Sequence, residues 1–180
     1  MPLARTRRRP RALAALTAAA LPGVLAGCGG SPVDLPPGEA AAHPTCGRVL
    51  QATPDTLGGL ERRSTTAQAT TAWGADPAVT LRCGVTPPGP TTDWCTSVEQ
   101  PDGTAVDWIQ LESDDEDFPA QARGTQGSWT FVTYGRVPAI EVVVTAAHDT
   151  GQPTAYLVDL AAAAQVSSAE RSCVGADDVP

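Results

Sequence analysis

The sequence predicts an α+β domain: a mainly antiparallel sheet of about four to six strands, with an N-terminal and a C-terminal helix packed on one face and two disulfides. Three observations predict it. Short stretches rich in β-branched residues recur between turns that carry proline and glycine, most clearly from residue 78 onward. Apolar stripes at helical spacing lie near both ends of the body, around residues 44–52 and 153–167. Four cysteines, Cys46, Cys83, Cys95 and Cys173, span the same region with no two closer than twelve positions. That spacing suits cross-links between distant elements better than a metal knuckle, which needs close pairs.

Taken in order, Pro44 to Ala52 reads as a short helix. Proline suits the first helical position, and Cys46, Val49 and Leu50 recur at 3–4 spacing on one face. Pro54 and Gly58-Gly59 end it. Residues 60–66 make a first strand, and Ala78 to Val85 a second, alternating in side-chain character. The turn Thr86-Pro87-Pro88-Gly89-Pro90 separates that strand from another over Cys95–Glu99. Pro101-Asp102-Gly103 then turns the chain into Thr104–Glu112, where Val106, Trp108 and Gln110 share a face. Residues 113–127, acidic and then rich in Gly and Gln, read as an exposed loop. Ser128–Tyr134 and Pro138–Ala146 are strands, the second apolar enough to be buried on both faces. Residues 153–167 form the closing helix, with Leu157, Leu160, Ala161 and Ala164 on one stripe.

The N-terminal end is of a different kind. All 12 basic residues of the 180-residue chain are arginine, and five of them lie in the first eleven positions. The first acidic residue is Asp34. After the arginines, Ala12 to Ala26 are apolar apart from Thr17, Pro22 and Gly23. Fifteen residues fall short of the roughly 20 that a permanent membrane helix needs, and they suit the h-region of a signal peptide. The run ends Leu25-Ala26-Gly27-Cys28, which looks like a lipobox with Cys28 as the lipidated residue. Residues 1–27 are therefore expected to be a lipoprotein signal peptide and 28–39 a Gly/Pro/Ser linker. Residues 40–180 are expected to form a single extracytoplasmic globular domain. Arg7-Arg8-Arg9 leaves the choice between the general and the twin-arginine export routes open.

Cleavage before Cys28 would leave 153 residues with seven arginines against 20 acids, a formal charge of −13. So acidic a body excludes nucleic-acid binding through a basic face. The absence of lysine excludes Schiff-base chemistry, Ser-x-x-Lys acylation and a P-loop. With Cys28 lipidated, the four remaining cysteines allow three pairings. Cys83 and Cys95 flank a turn whose two strands could bring them together, which would leave Cys46 to join Cys173. That is the pairing that proximity suggests, and the sequence leaves the connectivity open.

With the segments laid out, the body resembles a family of actinobacterial lipoproteins that carries a domain of unknown function. The resemblance rests on Val33-Asp34-Leu35-Pro36, Pro44-Thr45-Cys46, the run from Trp73 to Gly84, Val106-Asp107-Trp108, and Tyr134-Gly135-Arg136-Val137-Pro138-Ala139. It implies location and one fold across nearly the whole mature chain, and it brings no activity.

Candidate chemistry is sparse. The acidic run Glu112 to Asp117 lacks the glycine and the spacing of a calcium loop. His43 and His148 are the only histidines, with no His-Glu-x-x-His or Gly-x-Ser-x-Gly nearby, so no metal or other cofactor is expected. Trp108 and Trp129, on strands, are expected in the core, whereas Trp73 and Trp94 lie in loop-like contexts. An aromatic face beside a polar group suits sugars and peptides, so Trp73, Asp76 and Arg136 are the candidate ligand-binding residues. Arg82 is a candidate partner for a carboxylate. The expectation is a membrane-anchored lipoprotein on the extracytoplasmic face, not an enzyme, that binds an envelope protein or a cell-wall component. The alternative is an envelope hydrolase that uses paired carboxylates.

Overall fold

The computed structural model describes residues 30–76, 78–116, 118–119, 122–123, 127–145 and 151–174. The expected signal peptide and Cys28 lie outside these residues. Helix α1 spans Pro44–Ala52 as its pattern predicts. His43 caps it, the imidazole Nδ1 accepting from the Thr45 amide at 3.2 Å, and Thr53 closes it through its hydroxyl to the Leu50 carbonyl at 2.7 Å.

Eight strands follow: β1 Thr56–Leu57, β2 Leu60–Arg63, β3 Thr70–Trp73, β4 Val79–Val85, β5 Cys95–Glu99, β6 Ala105–Leu111, β7 Trp129–Thr133 and β8 Ala139–Val144. All pairs are antiparallel, in the order β1-β2-β3-β4-β8-β7-β6-β5. The expected count of four to six is too low, because β1 has only two residues and β3 (Thr70-Thr71-Ala72-Trp73) has no hydrophobic alternation. The closing helix is also different. It breaks at Leu160, where ψ is −1°, into α2 Ala155–Asp159 and α3 Ala161–Ala164.

The helices share one face of the sheet. There, Cys46 and Val49 of α1 and Leu157, Leu160, Ala161 and Ala164 of the C-terminal region pack against Leu81, Trp108, Phe131, Ile140 and Val142. Tyr156 of α2 lies against Gly58 at the β1–β2 turn, and α2 also touches β5 at the opposite edge. The sheet therefore curls around the helical layer.

The other face is covered too, which explains why every residue of β8 is buried. Phe118 and Ala122 are buried against Ile109, Leu111, Val132 and Val143. The segment expected to be an exposed loop is thus in part a lid on the sheet. Arg123 fastens it by donating to the carbonyls of Asp115, Glu116 and Phe118. The expected linker is docked as well. Val33 bridges to Thr65, and Leu35 packs on Ala72.

Both disulfides form, but not in the pairing that proximity suggests: Cys46 bonds Cys83, and Cys95 bonds Cys173. The meander β5–β8 returns β8 to the side of β4 and puts β5 at the far edge. Cys83 and Cys95 are then four strand positions apart, roughly 19 Å at ~4.8 Å per strand, and no disulfide spans that distance.

Candidate functional site

The sheet order dictates where a cavity can form. The connection between β4 and β5, residues 86–94, must cross β8, β7 and β6 to reach the far edge. Its Pro87-Pro88-Gly89-Pro90 stretch favours an extended path. This crossing loop walls two surface cavities, which share Thr91 and Asp93 in their linings.

The first, of about 370 Å³, lies on the face opposite the helices. Arg82, Val132 and Glu141 line it from the sheet, with Leu111 at the end of β6. Its sides come from Pro37-Gly38-Glu39, the crossing loop, and Asp115-Glu116. Arg82 and Glu141 are direct cross-strand partners in the β4–β8 register. The guanidinium grips the carboxylate with both arms, Nε to Oε1 at 2.7 Å and Nη2 to Oε2 at 2.6 Å. The Arg82 side chain is 14% exposed and that of Glu141 3%. A two-pronged pair this far from water is stronger than a surface salt bridge and fixes both groups in one orientation. Four further carboxylates, Glu39, Asp93, Asp115 and Glu116, complete the lining.

The second cavity, of about 360 Å³, lies beyond the crossing loop, between Trp94, Tyr134 and the Cys95–Cys173 bridge. A third, of about 280 Å³, adjoins it through Tyr134, Ser172 and Cys173 and contains Asp107, Arg136 and Arg171.

The residues singled out from sequence do not form one site. Trp73 is wholly buried, with its indole Nε1 donating to the Pro54 carbonyl at 3.0 Å. Arg136 is 7% exposed. Its Nη1 donates to the carbonyls of Ser167 and Ala164 at the end of α3, and its Nη2 to Ala105 at 3.2 Å. Burial pushes its pKa down, and the nearby Asp107 carboxylate opposes that shift. Asp76 is exposed in the β3–β4 turn. That turn is at the Val79–Val144 end of the sheet, whereas Arg136 precedes Ala139 at the other end. Arg82 does meet a carboxylate. Glu141, not singled out from sequence, carried a legible signal: it is the one charge in the apolar strand Ala139–Val144.

Several segments that carry the family resemblance fix the chain's crossings. Asp107 Oδ2 accepts from the Cys173 amide at 2.8 Å. Gly135, at φ +66°, lets the tail pass so closely that a Cβ there would sit 2.1 Å from the Arg171 carbonyl oxygen. Among the described residues no group of three His, Cys, Asp or Glu is placed to hold a metal ion. No described helix is long and apolar enough to cross a membrane.

Fold and site together define an α+β domain with an eight-stranded antiparallel sheet, two disulfides, and surface cavities on either side of a proline-rich crossing loop. Residues 11–172 match the family described as Protein of unknown function (DUF3515), and the chain belongs to that family. Comparison with curated proteins and with solved structures gives no match.

Proposed function

We propose that the chain is a membrane-anchored extracytoplasmic lipoprotein of the actinobacterial type, whose domain acts as a non-enzymatic binding or accessory module in the cell envelope. The observation that carries this reading is the division of the cysteines. Four pair within the described domain, and the fifth, Cys28, ends Leu25-Ala26-Gly27-Cys28 behind a basic and then apolar segment. Disulfides persist in oxidising compartments, and a diacylated cysteine would hold such a domain on the membrane. The cavities beside the crossing loop supply the binding surface.

A hydrolase with paired carboxylates is the second reading, favoured by the five carboxylates that line the first cavity. Against it, the buried one, Glu141, has both oxygens in the Arg82 fork. A general acid needs a proton and a nucleophile needs a free oxygen.

Fractionation of cells that express the tagged chain tests the anchoring. The wild type is expected with membranes and Cys28→Ala away from them; a variant that stays membrane-bound overturns it. Crosslinking of the wild type in cells tests the binding role, with a reproducible envelope partner as the expected result. Turnover of an envelope substrate that Asp93→Asn or Glu116→Gln, carboxylates of the same lining, abolishes at unchanged Tm would favour the hydrolase.

A further inference from the structure

Trp94 is the large aromatic that the fold leaves in water: its residue is 73% exposed, whereas Trp73, Trp108 and Phe131 are fully buried. An indole in solvent forgoes the stabilisation that burial gives. Its backbone is nevertheless firmly held. The Trp94 carbonyl accepts from the Gln110 amide at 3.0 Å, and the next residue, Cys95, opens β5 and is bonded to Cys173. On the other side the Asp93 amide donates to the Thr91 hydroxyl at 3.1 Å. The ring is therefore presented to solvent from a fixed base, which lowers the ordering cost of using it to bind.

Trp94 lines the second cavity, whose volume of about 360 Å³ is within the roughly 300–1,000 Å³ usual for small-molecule sites. Tyr134 is a second aromatic of the same lining, and Thr91, Thr92, Asp93 and Ser172 supply hydroxyl and carboxylate groups. We infer that this groove binds a neutral saccharide chain, with Trp94 and Tyr134 as platforms for the apolar face of the sugar rings. The four polar side chains take the hydroxyl rim.

The charges select this ligand over others. Asp93 is the sole ionic side chain of the described lining; Arg136 and Arg171 line the adjoining cavity instead, where Arg136 is taken up by backbone carbonyls. The surrounding body carries −13 beyond Cys28 and repels anionic chains. A single carboxylate is also a poor match for a polycation. A ring with an apolar face and a hydroxyl edge meets an aromatic flanked by short polar side chains on both counts. The inference deepens the binding role proposed above and rests on it.

The test uses the full-length protein in detergent with both disulfides intact. It is titrated with chitotetraose, cellotetraose, maltotetraose and mannotetraose, and with tetra-alanine as the peptide control, while heat and indole fluorescence are followed. At least one tetrasaccharide is expected to bind saturably. Trp94→Ala is expected to weaken that binding about ten-fold or more, and Trp94→Phe by less than about three-fold, at unchanged Tm. Four flat titrations up to about 10 mM, binding of tetra-alanine alone, or full affinity in Trp94→Ala would overturn the assignment. Flat titrations beside a crosslinked envelope partner sink the saccharide and leave the accessory role standing. Saccharide binding by a chain that never reaches membranes sinks the anchoring alone.

Discussion

Arg82 and Glu141 face each other across β4 and β8, where Glu141 is buried and Arg82 mostly so, and the two-pronged bond between them offsets part of their desolvation. Replacing Glu141 with Gln or Arg82 with Met strands a charge in the sheet, and each single variant should lose about 3–5 kcal/mol. The double variant Arg82→Met/Glu141→Leu should recover much of that loss, because both desolvation costs vanish together. Denaturant unfolding measures all three; a single variant within about 1 kcal/mol of wild type would show the pair to be dispensable. Asp102 is the opposite case, fully exposed in the β5–β6 turn. Its carboxylate accepts from the hydroxyl of Thr104 at 2.6 Å and from its amide at 3.0 Å, and these bonds hold its pKa below 3.8. A carboxyl depressed by folding stabilises the fold above its unfolded value and loses that contribution as pH falls through the folded value. Asp102→Asn should therefore lower Tm slightly at pH 7, with the difference fading below about pH 3.8; a difference that persists at lower pH would point elsewhere. At this scale the sequence was partly legible. A lone charge in an apolar strand marks Arg82 and Glu141, but nothing near Trp73 or Arg136 in sequence shows that Pro54 and the end of α3 will enclose them.

The elements with strong local patterns were legible and those defined by their neighbours were not. Helix α1 and strands β4 to β8 follow from capping, alternation and turn residues within a few positions of expectation. β1 and β3 exist because β2 and β4 offer them open edges, so their own residues say little. The docking of residues 33–41 was hidden for the same reason. It depends on a crossing where Gly38 meets Gly84, which stands between Cys83 and Val85 at a register shift of β4. The Ala40 amide donates to the Gly84 carbonyl at 2.8 Å. Gly84 has φ +87°, and a Cβ there would lie 2.4 Å from the Ala40 carbonyl carbon. Gly84→Ala thus combines backbone strain with a backbone clash, and should cost about 3 kcal/mol or more in denaturant unfolding. Gly89→Ala, with open space at its Cβ, is the matched control and should change stability by less than about 1 kcal/mol. Equal effects at the two positions would remove the crossing as the cause.

Connectivity belongs to the whole molecule, and the four cysteine positions alone could not resolve it. Sequence proximity favoured Cys83 with Cys95, but proximity along a chain predicts contact only when no later strands return between the two. Here three of them do. The realised bridges divide the work. Cys46–Cys83 ties α1 to the central strand, with both residues fully buried in the main core, across a separation of 37 residues. Cys95–Cys173 ties the C-terminal tail to the edge strand across 78 residues, with both cysteines partly exposed. Loop entropy alone assigns about 4 and 4.5 kcal/mol to them, too close to separate. Their accessibilities separate them instead, since thiol–disulfide exchange requires the attacking thiolate to reach a sulfur. Under a mild reductant in native buffer, Cys95 and Cys173 should become alkylatable first, while Cys46–Cys83 should wait for global unfolding. Amide exchange should then rise at Cys173 and Glu170, whose amides are held by Asp107 and Gly135, and the exposed Trp94 next to the broken bridge should report the change in its fluorescence. β4 and β8 should stay protected. Simultaneous loss of both bridges, or earlier reduction of Cys46–Cys83, would show that the tail is held by more than its tether and that the core opens more readily than its burial implies.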